Sequence, residues 1–95
     1  MATGQGTATI DFSTGSNEVS VVVTGQATIS ATSKVEAFIM GEDTTADHSA
    51  VDHRYFNAMT GLTCGTPTVS TGFTIYATCT DYMRGTFKVR WVWAD

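Results

Sequence analysis

The chain has 95 residues, which fits one domain, and its five basic and nine acidic side chains give a net charge of −4. So few lysines and arginines argue against nucleic-acid binding, because phosphate neutralisation needs clustered basic residues. No apolar run approaches the roughly 20 residues that span a bilayer, and residues 1–6 lack the basic and apolar regions of a signal peptide. We expect a protein made in the cytosol, without a membrane partner, whose Cys64 and Cys79 are free thiols.

Threonine, serine and glycine dominate the composition and favour strands and turns over helices. Residues 1–6 contain two glycines and predict a flexible N-terminal arm. Alternating polarity then predicts strands at residues 7–12, 18–24, 27–29, 34–40, 72–79 and 86–93, with one or two short strands between 55 and 63. The polar stretch 41–51 predicts a loop with room for a helical turn, and residues 81–85 predict a turn.

Six or seven short strands joined by glycine-bearing turns predict an all-β fold, a small antiparallel β-sandwich that spans residues 7–95. A parallel sheet is excluded because each crossover needs about a dozen residues that the chain lacks. The side chains expected to face inward and form the core are Ile10, Phe12, Val19, Val21, Val23, Val35, Ile39, Phe73, Ile75, Phe87, Val89 and Trp91.

Four apolar side chains have the wrong parity for that core. Phe38 and Met40 share a side with Lys34, Tyr76 lies between two threonines, and Val92 follows Arg90. Aromatic and methionine side chains gathered on a sheet face are typical of an interface. We therefore predict that Phe38, Met40, Tyr76 and Val92 contact a neighbouring subunit, with scattered exposure as the alternative.

Two Asp-His pairs lie five residues apart in the segment 47–53, which we call the 47–53 segment. Carboxylate and imidazole groups are a suitable first shell for a divalent metal. The spacing of His48 and His53, however, fits neither one face of a helix nor one face of a strand. A solvated loop with a structural hydrogen bond is the favoured interpretation, and we predict no metal site.

Other candidate chemistry is weaker. Ser49 or Cys64 beside a histidine is a nucleophile and base by residue type alone, and no nucleophile elbow is found. The glycines form no phosphate-binding motif. We expect no enzyme activity and no cofactor. The aromatic residues that have the type to stack on a sugar are Tyr76, Tyr82, Trp91 and Trp93.

The order of several short segments resembles a family of small proteins encoded among the structural genes of tailed bacteriophages. The most specific of them are the Thr-Gly-Phe-Thr-Ile-Tyr-Ala segment at residues 71–77 and the Trp-Val-Trp segment at 91–93. The remaining ones are Thr-Ile-Asp-Phe at 9–12, Val-Thr-Gly-Gln at 23–26, Lys-Val-Glu-Ala at 34–37 and Ala-Asp-His at 46–48. The strand order also resembles the H-type lectin-like sandwich, a trimeric module.

These resemblances imply a virion structural protein, made in the host cytoplasm and located in the virion. The implied role is a trimeric tail-fibre knob or capsid decoration subunit that contacts other virion proteins. The alternative is a lectin-like module that binds a glycan or another host-surface ligand.

Overall fold

The computed structural model describes residues 2–95 and is a β-sandwich of two facing three-stranded sheets. The elements within these residues are β1 Thr3–Asp11, β2 Ser16–Val23, β3 Lys34–Phe38, α1 Ala50–Met59, β4 Thr60–Cys64, β5 Phe73–Met83 and β6 Thr86–Ala94. β6 lies between β1 and β3 in the first sheet, and β5 lies between β2 and β4 in the second. The strand pairs are antiparallel, which confirms the predicted fold class.

Within residues 2–95 the chain crosses between the sheets four times, and two of these crossings are adjacent turns. Residues 12–15 lead from β1 to β2, and residues 84–85 lead from β5 to β6. Gly85 has φ 77°, a conformation that favours glycine. The Phe12 N–H donates to Gly85 O at 2.8 Å, and the Gly85 N–H donates to Ser13 O at 3.0 Å. These bonds hold the two turns together at one end of the sandwich.

Alternate side chains of each strand point inward and fill the space between the sheets. The predicted core residues that are fully buried are Ile10, Phe12, Val23, Phe73, Ile75, Phe87, Val89 and Trp91. Those that are partly buried against them are Val19, Val21, Val35 and Ile39. The core also takes in Ile29, Phe56, Ala77, Cys79 and Trp93. Each large side chain contributes about 1.5–3 kcal/mol through burial, before the entropic cost of ordering it.

The predicted N-terminal arm is wrong for residues 3–6, which form the first part of β1; Met1 lies outside the described residues. Gly4 pairs with Trp93 and Gly6 with Trp91. A Cβ atom on Gly6 would come within 2.5 Å of Trp91 Cζ2, so the indole ring occupies the space of the missing side chain. The glycines therefore admit the tryptophans beneath β1, and they do not mark a mobile segment.

The helix α1 occupies a stretch for which loop and strand were predicted. Ser49 begins it with a capping box: Ser49 Oγ accepts from the Asp52 N–H, and the Asp52 carboxylate accepts from the Ser49 N–H, each at 3.2 Å. His53 and Phe56 are its buried residues. With ten residues α1 is too short to cross a bilayer, and residues 2–95 contain no helix that could do so.

Two further boundaries differ from the prediction. Residues 27–29 form a turn instead of a strand, in which the Ile29 N–H donates to Gln26 O at 3.3 Å, although Ile29 itself is buried. β5 continues to Met83, so the turn predicted at residues 81–85 contracts to residues 84–85.

Replacing Gly6 by alanine tests the fit of β1 over the tryptophans. The new methyl group would force the Trp91 ring to move, and overpacking of this kind costs about 1–3 kcal/mol. Urea unfolding at constant pH measures the loss. Gly61→Ala is the matched control, because the nearest atom to its added Cβ lies 3.9 Å away. Equal stability of the two variants would contradict the close packing of β1.

Candidate functional site

The 47–53 segment packs onto the turn between β5 and β6. Asp47 accepts hydrogen bonds from the Thr86 N–H at 3.0 Å and from the Thr86 hydroxyl. Thr45 adds a bond from its hydroxyl to Thr86 O at 2.7 Å. A Cβ atom at Gly85 would collide with the Asp47 carboxylate, so glycine is required there for space as well as for φ. Asp47 therefore holds the turn between β5 and β6 in place.

His48 contacts the same turn beside Asp47, and both side chains lie where a Cβ atom on Gly85 would point. Its Nε2 lies 2.7 Å from Arg84 O, and its Nδ1 lies 3.1 Å from Asp52 Oδ2. Its ring stacks on Phe87 with centroids 4.0 Å apart and planes inclined by 15°. Both ring nitrogens thus face oxygen acceptors inside the protein, and the ring joins the start of α1 to the turn.

His53 is completely buried, and both of its ring nitrogens are occupied. The Lys88 N–H donates to Nε2 at 3.0 Å, so this nitrogen carries no proton in that bond. Nδ1 lies 2.9 Å from Ser49 O, to which it donates the proton of the ring. Neither nitrogen has a lone pair free for a metal or a substrate. His53 therefore fixes α1 against β6.

The two histidines do not converge on a common point. Across residues 2–95 no group of three or more His, Cys, Asp or Glu side chains is arranged to hold a metal ion. Ser49, the nucleophile considered from the sequence, uses its hydroxyl as the N-cap of α1. Hydrogen bonds do hold this segment, as predicted, but the predicted solvated loop is wrong, because residues 50–53 belong to α1 and His53 is completely buried.

Hydrogen bonding lowers the pKa of both carboxylic acids in the segment. The hydrogen bond from the Thr86 hydroxyl is the largest cause of the lowered pKa of Asp47, and the bond from the Thr86 backbone N–H lowers this pKa further. For Asp52 the largest cause is the bond to His48, and the N–H of Ser49 adds to it. Each bond stabilises the ionised carboxylate, so both acids are charged at neutral pH.

A buried carboxylate supports the outer face of the first sheet. Asp43 is only 5% exposed, and its two oxygens bind Arg90 Nη2 at 2.9 Å and Nε at 3.4 Å. This bond raises the pKa of the Arg90 guanidinium. The pair attaches the loop after β3 to the middle of β6, and it is a further use of charge for holding the fold.

The cysteines are separate free thiols, as predicted. Cys64 is the last residue of β4, whereas Cys79 lies on β5 and pairs with Thr60, the first residue of β4. The two thiols are therefore separated by the length of β4. Burial and the nearby Glu36 carboxylate raise the pKa of the Cys64 thiol, which disfavours the reactive thiolate.

The four predicted interface residues do not form one surface. Phe38 and Val92 lie on the outer face of the first sheet, where Val92 pairs with Glu36 and Phe38 with Arg90. Met40 lies just beyond the end of β3 and is partly buried. Tyr76 projects from the outer face of the second sheet, on the opposite side of the sandwich. Phe38 and Val92 therefore lie on the opposite side of the sandwich from Tyr76, because parity assigns a face within a sheet and does not tell which sheet. Their contact with a neighbouring subunit stays a prediction.

The aromatic residues considered for sugar stacking also divide. Trp91 and Trp93 are buried, and the indole N–H of Trp93 donates to Gln26 Oε1 at 3.0 Å. Tyr76 and Tyr82 are exposed along β5. Only the two tyrosines are therefore available to a ligand.

Comparison with known proteins adds no relative. A scan against protein-family models finds no match, and searches of curated proteins and of solved structures find none either.

Replacing Asp47 by asparagine tests the fastening of the inter-sheet turn. The amide group loses the charge and places donors opposite the donors of Thr86, so the free energy of unfolding falls at pH 7. The folded pKa of Asp47 is lowered, so its contribution is full above its unfolded value of about 3.9. It is lost as the pH falls through the folded pKa.

The measurement is urea unfolding of both proteins across the acidic range. The gap between wild type and Asp47→Asn should narrow steadily below about pH 4. Glu18→Gln is the control, since Glu18 is an exposed carboxylic acid on β2. A gap that persists undiminished in acid would argue against this role of the Asp47 carboxylate.

Proposed function

We propose that this chain is a structural protein of a tailed-bacteriophage virion, a β-sandwich that self-associates as a trimer and serves as a tail-fibre knob or capsid decoration subunit. The observation that carries the proposal is the contrast between polar side chains that bond within the chain and apolar side chains that are exposed. Its histidines and the carboxylates beside them are engaged in intramolecular bonds that hold turns and the helix. Several large apolar side chains, by contrast, remain exposed on the outside.

The outer face of the first sheet is the surface best suited to a neighbour. Phe38 is 38% exposed and Val92 is 37% exposed, and they lie in adjacent register positions across β3 and β6. A shallow depression beside them is lined by Gln5, Thr7 and Arg90. A small apolar centre with a polar rim is the usual anatomy of a protein interface.

The proposed mechanism is passive. Burial of apolar side chains and hydrogen bonding at sheet edges would fix neighbouring subunits and other virion proteins in place. The chain would reach the virion after synthesis in the host cytoplasm.

A glycan-binding module is the second candidate, and the surroundings of Tyr76 favour it. Tyr76 lies at the centre of the outer face of the second sheet, paired with Ser20 on β2 and Thr63 on β4. An exposed aromatic ring between hydroxyl groups has the two elements of sugar recognition, a stacking surface and hydrogen-bonding partners. Host-surface recognition through this face is compatible with a tail-fibre position.

Light scattering after size-exclusion chromatography tests self-association. We expect a mass of about three times 10.1 kDa at micromolar concentration. The double variant Phe38→Ser/Val92→Ser should weaken association about tenfold or more, because buried aromatic and aliphatic anchors carry most of the binding energy. Val51→Ser is the control, because it removes from α1 an apolar side chain that is more exposed than Phe38 or Val92. A wild-type monomer would refute the assembly role.

Glycan-array binding by the purified protein tests the second candidate. If Tyr76 stacks on a sugar, Tyr76→Ala should reduce affinity about tenfold, the effect of losing roughly 1.4 kcal/mol. Tyr55→Ala is the control, since Tyr55 is 68% exposed on α1, away from the second sheet's outer face. The absence of any bound glycan, or equal losses in both variants, would remove this candidate.

A further inference from the structure

β1 presents a long unpaired edge. It lies at the margin of the first sheet and pairs only with β6, through nine consecutive residue pairs without a register shift. In an antiparallel ladder, alternate residues direct their N–H and C=O groups away from the partner strand. Within the described residues no other hydrogen bond engages the backbone of residues 3–10. These outward groups are therefore available to another strand.

β1 is the longest uninterrupted edge of the two sheets, because β2 has six consecutive pairs after its register shift, against nine in β1. β3 has five residues, among them Lys34 and Glu36, and β4 also has five. On β2, Ser16 Oγ binds both the N–H and the C=O of Glu18, and a register shift follows. Short strands, charges and irregularities are the means by which natural sheets avoid unwanted pairing. Residues 3–10 contain no charge, no proline and no bulge.

We propose that β1 pairs in antiparallel orientation with β1 of a second copy of this chain, joining two three-stranded sheets into one sheet of six strands. The inference deepens the proposed assembly role and rests on it. The contact is isologous and has two-fold symmetry. It therefore joins two of the proposed trimers into an assembly of six chains above micromolar concentration, and it is separate from the three-fold contact.

Charge and side-chain size favour a second copy as the occupant. Each chain carries a net charge of −4, so a contact between two copies is opposed least where neither presents a charge. Residues 3–10 provide such a strip. The outward side chains Thr3, Gln5, Thr7 and Thr9 are exposed, and threonine pairs across strands are favourable. Facing inward, Gly4, Gly6 and Ala8 are too small to obstruct the approach.

A charge-reversal experiment at Thr7 tests the contact. Thr7 is exposed near the middle of β1, so a two-fold axis there brings the two copies of residue 7 opposite or diagonal to each other. Thr7→Lys and Thr7→Glu, each alone, should halve the mass seen by light scattering and weaken association at least tenfold. An equimolar mixture of the two should restore the wild-type mass. Thr63→Lys, on the outer face of β4, should retain it.

Hydrogen exchange gives a second readout. Amides among residues 3–10 that point away from β6 should gain protection as the wild-type concentration rises, and they should not do so in Thr7→Lys. Retention of the wild-type mass by both charged variants, or failure of the mixture to recover, would overturn the β1 contact while leaving the assembly role intact. A wild-type protein that stays monomeric would overturn both.

Discussion

The ring of Phe87 is the contact on which the two sheets, the helix and the preceding loop depend. Phe56 stacks on it at 4.0 Å and His48 at the same distance, while Phe12 meets it edge-on at 6.1 Å. These partners come from α1, from the loop before it and from the turn after β1, so elements distant in sequence share one buried ring. In a chain of this size, where folding leaves a small margin, such a convergence has a large share in the stability.

The polar side chains around this ring hold the chain in place. Asp47 and His48 bond to the turn between β5 and β6. Ser49 and Asp52 form the capping box of α1, and the buried His53 bonds to β6. Imidazole and carboxylate groups close together in sequence suggest a reactive centre. Here their partners are backbone groups and neighbouring side chains, which is how buried polar groups are usually satisfied.

The strands were predictable because their alternation is strong and the composition disfavours helices. Phe87, Val89 and Trp91 follow each other with a period of two, and this fixes both the strand and its buried face. The helix was missed because it lies in a polar stretch and has only Phe56 as a large apolar buried anchor. The spacing of Ser49 and Asp52, which form its capping box, was the signal that could have revealed it. The N-terminal arm was mispredicted because glycine signals freedom unless the opposing strand supplies a ring, and that pairing is a long-range property. For the same reason Tyr76 could not be assigned to a different sheet from Phe38.

The placement of Trp91 and Trp93 beside Gly6 and Gly4 has an optical consequence. They are the two tryptophans of the chain, and the inner surface of β1 shields both. The intrinsic emission of the protein therefore reports on whether this strand is seated, and fraying of the N-terminal strand would shift the spectrum to the red before the rest of the sandwich opens. The molecule carries a built-in, label-free sensor for one strand.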